Sequence, residues 1–237
     1  MFSHGIKSIL SMSKTDSVTA AVEDYAKAIY ALQVECAGPV TNNALADRLG
    51  VSAASASNMV KKLGSLGLVE HLPYHGVELT MAGRRVALEV LRHHRLLELY
   101  LAQSLGVPWD RVHDEAEVLE HHISEELEEL IANALGNPTH DPHGDPIPTR
   151  DLQMVEEPVR TLDSLEPGQS GRFTRISDHD PEMLRYLAER GIAPGDDFEI
   201  VDKQPFGGPL FVRFAGREVQ VVGGLLAAAM RVEASAA

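Results

Sequence analysis

Residues 44–69, ALADRLGVSAASASNMVKKLGSLGLV, constrain the fold more than any other stretch of the chain. On either side of Gly50 the apolar residues recur at three- and four-residue spacing, so two short helices must meet at one tight turn. Thr41 stands where the first of them, NNALADRLG, needs an N-cap, and Gly50 where it must end. Ser52 caps the next, SAASASNMVKKLGSLG. Upstream, SVTAAVEDYAKAIYALQVEC puts Val18, Val22, Tyr25, Ile29 and Leu32 on one helical stripe, which Gly38-Pro39 stops. Downstream, GLVEH and GVELT are β-prone runs around Pro73-Tyr74-His75-Gly76, the pattern of a hairpin. Three helices and a hairpin in this order predict a winged helix-turn-helix over residues 17–80.

The third helix of that unit is the candidate reader of DNA. Ser52, Ser55, Ser57, Asn58, Lys61 and Lys62 form its outer face, leaving Met59, Val60 and Leu63 for the core. Small hydroxyl and amide side chains approach base edges closely, and lysines at the far end reach phosphates. The competing interpretation is a merely solvated face; the complete helix–turn–helix–wing order favours DNA. Charge does not forbid it. The formal net charge is −14, yet residues 1–80 hold 6 Lys/Arg against 7 Asp/Glu, whereas residues 81–237 hold 15 against 28. Phosphate binding needs positive charge on one face rather than a basic whole. The acidic remainder serves solubility, or the binding of cations.

From Thr80 the pattern turns helical, through TMAGRRVALEVLRHHRLLELYLAQSLG, PWDRVHDEAEVLEHHIS from Pro108, and SEELEELIANALG capped by Ser124. Apolar residues on more than one face of these helices suit a homodimer. Prolines then interrupt residues 137–166, which read as a linker, and short β-prone runs with one helix, DPEMLRYLAERG, predict a small barrel. The expected organisation is a mainly α chain with small β parts. A flexible arm (1–16) precedes the winged helix-turn-helix (17–80). A helical metal-binding and dimerisation domain (81–148), a linker (149–166) and an SH3-like β-barrel (167–237) follow. No run of about 18 apolar residues exists to span a membrane, and Cys36 is the one cysteine, so a reducing cytoplasm is the expected location.

The chemistry lies in the middle helices. His113, Glu117, Glu120 and His121 stand at i, i+4, i+7 and i+8, on one helical face, and His94 and Glu98 form a second i, i+4 pair. Taken singly, each run is an ordinary solvated acidic face. Together on adjacent helices, their imidazole nitrogens and carboxylate oxygens suit an open site for a divalent metal. The His140, Asp141, His143 and Asp145 cluster also has ligand chemistry, but it sits in a loop and reads as structural.

The run VHDEAEVLEHHIS, with RHHRLLE before it and EDYAKAIYAL at the start, resembles the diphtheria-toxin-repressor family of metal-dependent transcriptional regulators. The resemblance runs from residue 18 to the HGDPIP segment and extends into the barrel. It implies a metal-loaded homodimer that binds palindromic operator DNA and represses metal-uptake genes. It places Asp24, Glu117, Glu120 and His121 in a primary metal site. His94, Glu98 and His113 fall in a second site, completed from the barrel by Asp180, with Asp178 and Glu182 as rivals. His94 matches both sites. Lys27 stands where the two-domain manganese regulators carry a carboxylate, which argues against a closely spaced binuclear cluster like theirs. Iron-sensing members place methionine and cysteine where this chain has Asp24 and Glu117, and hard oxygen in place of soft sulfur points to Mn(II) as cofactor. Fe(II) is the alternative, and Co(II) or Zn(II) bind such ligands in vitro.

Two other classes compete. A metal-dependent hydrolase would use Glu120 and His121, but H-E-x-x-H, G-x-S-x-G and phosphate-binding glycine loops are absent. A winged-helix regulator sensing a small organic ligand through its barrel would bind operator without metal.

Overall fold

The computed structural model describes residues 19–154, 159–176 and 180–235, so the expected arm over residues 1–16 lies outside the described residues. Two compact units divide the chain between Val90 and Leu91.

In the first unit, α1 (Ala20–Cys36), α2 (Asn42–Leu49) and α3 (Ala53–Ser65) precede a hairpin of β1 (Val69–Leu72) and β2 (Gly76–Leu79). The caps fall where the side chains call for them. Thr41 Oγ1 accepts from Ala44 N at 3.2 Å, Ser52 Oγ from Ser55 N at 3.1 Å, and Gly50 ends α2 with a left-handed φ of 63°. Val22, Ile29, Leu45, Ala56, Leu63 and Val77 are buried together and fix how the three helices and the wing pack. The hairpin pairs Val69 with Leu79 through to Leu72 with Gly76. Val40 joins it, exchanging two 2.9 Å backbone hydrogen bonds with Val77. A β-carbon on Gly76 would meet the Val40 carbonyl oxygen at 2.2 Å, and its φ is 117°, so this corner admits glycine alone.

The second unit begins within α4 (Met81–Leu105) and continues with α5 (Val112–Leu119) and α6 (Glu125–Ala134). Leu96, Leu97, Leu99, Ala116, Ile131 and Ala132 bury against one another, and Ile147 joins them. Two expectations are corrected here. The helix expected from Pro108 starts at Val112, after a turn closed by Arg111 N on Pro108 O, and gives way to a turn over Glu120–His122. The stretch from residue 137, expected as a linker, is folded through residue 148. Asp141 Oδ1 accepts from His143 N (2.8 Å) and Asp145 N (2.9 Å), and Asp141, His143 and Ile147 are buried. An aspartate that satisfies two loop amides and an isoleucine that reaches the helical core make a docked loop out of a proline-rich sequence.

Six antiparallel strands follow: β3 (Arg160–Thr161), β4 (Ser170–Ile176), β5 (Asp197–Lys203), β6 (Leu210–Phe214), β7 (Val219–Val222) and β8 (Met230–Ala234), in the spatial order β3-β8-β4-β5-β6-β7. α7 (Pro181–Glu189) sits between β4 and β5, and the short α8 (Gly224–Ala229), which the sequence reading lacks, precedes β8. Register shifts between Phe173 and Arg175 and between Ile200 and Asp202 mark bulges, which coil a small sheet around its core. That core holds Phe173, Phe214, Leu184, Ile200 and Met230, and also Leu162 and Leu165, so this domain starts by residue 160 rather than 167.

Candidate metal centre and nucleic-acid interface

One turn of α4 sets His94 and Glu98 on the same face. His94 Nε2 lies 3.0 Å from Glu98 Oε1 and 3.1 Å from His113 Nδ1, which is itself 3.4 Å from Glu98 Oε1. The other nitrogen of His94 makes a short contact with Glu120 Oε2 and lies 3.7 Å from Glu117 Oε1. His121 Nε2 is 3.4 Å from Glu120 Oε1. Glu98, Glu120 and His94 are buried; Glu117, His113 and His121 are half-buried and border solvent. His94, His113 and Glu117 each offer a ligand atom within 4.8 Å of the others. Burial opposes a charge on Glu98, but the neighbouring imidazoles of His113, His143 and His94 outweigh it and hold the carboxyl well below its ordinary range. Buried nitrogens and oxygens crowded this way fit a divalent cation, since imidazole and carboxylate are ligands for Mn, Fe, Zn and Co alike.

A supporting layer holds these groups. His93 Nδ1 faces the Glu120 carbonyl at 3.1 Å, and its Nε2 lies 3.0 Å from Glu128 Oε2. Arg92 binds Glu128 Oε1 at 2.6 Å and the Pro148 carbonyl at 2.7 Å. Burial works against charge on Glu128, and His93 and Arg92 overcome it, lowering its pKa.

The sequence-derived ligands are thus distributed as follows. His94, Glu98, His113, Glu117, Glu120 and His121 come together in the second unit. Asp24 is half-buried on α1 of the first unit. Asp180 is the N-cap of α7, where its Oδ1 accepts from Glu182 N and Met183 N, and neither it nor the exposed Glu182 is among the ligand groups found in the described residues. Asp178 lies outside the described residues. Asp141 and His143, read as structural, form a further group with Glu98. Nothing in the sequence marks that pairing, because α4 and the loop are brought together only by packing.

On α3, Ser52, Ser55, Asn58, Lys61 and Lys62 are exposed. Ser52 and Ser55 also bond each other at 2.9 Å. Ser57 is half-buried, and its Oγ accepts from Asn42 Nδ2 at 3.0 Å, so it braces α2 against α3. Tyr74, at the hairpin tip, is fully exposed. No helix of the described residues is long and apolar enough to cross a membrane.

Comparison with known proteins covers nearly the whole chain. Residues 17–77 match the family described as iron dependent repressor, N-terminal DNA binding domain. Residues 80–149 match iron dependent repressor, metal binding and dimerisation domain, and residues 160–234 match the FeoA domain. The diphtheria toxin repressor of Corynebacterium efficiens is 33% identical over 222 residues, covering 89% of this chain and 94% of that one. The iron-dependent repressor IdeR of Mycobacterium tuberculosis is 32% identical over 223 residues, covering 89% and 96%. A solved structure described as a manganese-dependent transcriptional repressor in complex with manganese superposes with a TM-score of 0.82 at 41% identity, covering 90% of this chain and 99% of that one.

Proposed function

The chain belongs to the iron-dependent repressor family, and from that premise we propose that it is a divalent-metal-activated transcriptional repressor whose preferred corepressor is Mn(II). The observation that carries the reading is the placement of His94, whose two ring nitrogens face carboxylates on opposite sides. In this proposal His94, Glu98 and His113 hold one ion. Glu117, Glu120 and His121, with Asp24 assigned on the family pattern, hold another. A bound dication supplies the positive charge that lets these carboxylates remain ionised side by side. His93, Arg92 and Glu128 keep the Glu120 backbone in position.

The chain's own residues do the rest. Asn58 and the serine hydroxyls of α3 present donors and acceptors to base edges, while Lys61 and Lys62 reach phosphates. Val118, Leu127 and Leu130 are exposed apolar residues of α5 and α6, in the segment that matches a dimerisation domain, and are the proposed homodimer surface. A two-fold dimer calls for a palindromic operator. The family is one of repressors, so the metal groups sense rather than turn over substrate.

Oxygen donors at Asp24 and Glu117 favour manganese over softer metals. The iron-dependent relatives motivate the second reading, an iron-responsive regulator. Fluorescence anisotropy of operator DNA, titrated anaerobically with Mn(II), Fe(II) or EDTA present, tests both. Binding strengthened by Mn(II) and abolished by EDTA supports the proposal; binding indifferent to metal overturns it.

A further inference from the structure

At the tip of the β1–β2 hairpin Tyr74 has a left-handed φ of 68°, and its side chain is fully exposed. His75 N donates to the Leu72 carbonyl at 3.0 Å, which closes a turn with Pro73 and Tyr74 at its centre. Pro followed by a left-handed residue is the pattern of a type II turn, whose second central position ordinarily takes glycine or asparagine. A bulky residue there is strained, and a glycine would hold the same turn with less strain. The ring packs against nothing in the fold, so its use lies outside the fold. We propose that Tyr74 is a DNA-contacting residue of the wing, its hydroxyl donating to a backbone phosphate oxygen and its ring lying against the adjoining sugar.

The hairpin is held so that its tip has a fixed direction relative to the helices. Val40 and Val77 exchange two 2.9 Å backbone bonds, and Gly76 lies so close to the Val40 carbonyl that no side chain fits between them. Leu79 N donates to Gln33 Oε1 of α1 at 3.3 Å, and Thr80 Oγ1 to the Gly67 carbonyl at 2.7 Å. Val69 and Val77 are buried in the same core as Ala56, Val60 and Leu63 of α3. The tip and α3 therefore move as one body, and docking of α3 on a duplex brings Tyr74 to a set place. Both lie in the segment that matches a DNA-binding domain, residues 17–77.

Charge decides what kind of contact this wing makes. Between Lys62 and Arg84 the chain has no lysine or arginine, so the wing carries no permanent cation with which to grip phosphate. On its strands Glu70 stands directly opposite Glu78, two rungs from the turn at Leu72 and Gly76. Facing carboxylates repel a phosphate backbone, which leaves only the tip beyond them, the exposed Pro73, Tyr74 and His75, to touch it. A tyrosine supplies both halves of such a contact without charge: an O–H donor for a phosphate oxygen and an apolar ring for the sugar. A neutral contact releases no counterion, whereas each Lys or Arg on a phosphate does. Tyr74 therefore adds affinity that is independent of salt.

The proposal rests on the reading of the chain as a DNA-binding repressor, and its test keeps the two apart. The full chain, loaded with Mn(II) or anaerobically with Fe(II), first selects a duplex from a random-sequence pool; failure to select one overturns both. Anisotropy titrations on the selected duplex then compare Tyr74→Phe, Tyr74→Ala and Tyr74→Gly with the parent. Tyr74→Phe should weaken binding about 10-fold, the low end for a hydrogen bond to a charged group. Tyr74→Ala should weaken it more, and the slope of log affinity against log salt should stay unchanged in both. Tyr74→Gly should lose affinity as Tyr74→Ala does, yet melt at a temperature no lower than the parent's, because the strain is gone. Neutral methylphosphonates placed one at a time along the duplex locate the contact: at one phosphate in each half-site the Tyr74→Phe loss should vanish. Parent-like affinity in Tyr74→Ala overturns the proposal and leaves the repressor reading standing. A Tyr74→Phe loss that no methylphosphonate abolishes also overturns it, as does a lowered melting temperature in Tyr74→Gly, which would give the ring a structural role.

Discussion

His94 Nε2 sits 3.0 Å from Glu98 Oε1, one turn along the same helix, and both side chains are buried. Because the other nitrogen of that ring faces Glu120, His94 is the residue through which the two proposed metal groups touch. Replacing it with alanine removes a ligand atom from each side at once. His94→Ala should weaken Mn(II) binding by at least the roughly 10–100-fold that loss of a supporting partner costs. Both binding steps seen by calorimetry should change. Loss of one step with the other intact would assign His94 to a single ion.

The exposed positions of α3 separate two roles. Asn58→Ala should narrow the preference for operator over random DNA by about 1–3 kcal/mol. Lys62→Ala should weaken both equally and reduce the slope of log affinity against log salt by about 1. Ser57→Ala should act differently from Asn58→Ala, by loosening α2 from α3, because its hydroxyl already accepts from Asn42. Anisotropy titrations over a salt series, with thermal melts for Ser57→Ala, distinguish the three.

Where local chemistry decides the structure, the sequence was legible. Thr41, Gly50, Ser52 and Ser124 end or begin helices in the way their side chains and backbone preferences require. The spacing of His94 with Glu98 and of His113 with Glu117 put each pair on one helix face. What could not be read there depends on tertiary packing. The prolines between residues 137 and 148 suggested a linker, yet Asp141 caps the loop's own amides and Ile147 reaches the helical core. A β-carbon on Gly144 would meet the Thr174 carbonyl oxygen at 1.9 Å, so the loop lies directly on β4. Asp180 starts α7, its carboxylate accepting from Glu182 N and Met183 N, a use that its place before Pro181 also suits.

The Glu128 carboxylate gives a stability prediction with a definite sign. Its pKa in the folded chain lies below the ordinary 4.5, burial being outweighed by His93 and Arg92. A carboxyl with a depressed folded pKa stabilises the fold fully above its ordinary value, and that stabilisation disappears as pH falls through the lower folded value. Glu128→Gln should therefore be less stable than the parent chain at neutral pH by about 1.5–3 kcal/mol, the range for hydrogen bonds to charged groups. The gap should close below pH 4.5. Urea melts of metal-free protein across this range measure it, and a gap that widens on acidification would refute the role of the pair.

The metal preference rests on Asp24 and Glu117. Changing Asp24 to Met and Glu117 to Cys replaces two hard oxygens with two soft sulfurs and removes the Asp24 charge. Soft donors suit Fe(II), Co(II) and Zn(II) better than Mn(II), and the lower charge weakens attraction for every dication. The double variant should lose manganese-activated operator binding while keeping or gaining activation by Fe(II) or Co(II). If instead both residues are solvated acids of their helices, neither metal response moves. Glu117 is half-buried and within 3.7 Å of His94 Nδ1, which favours a ligand over a bystander. Second-layer contacts can reset a selectivity that ligand type alone would give, so the single variants belong in the same experiment. Glu117→Cys by itself should shift the manganese midpoint upward. An anaerobic titration in which that midpoint stays fixed for Glu117→Cys, Asp24→Met and the double variant would remove both residues from the metal site.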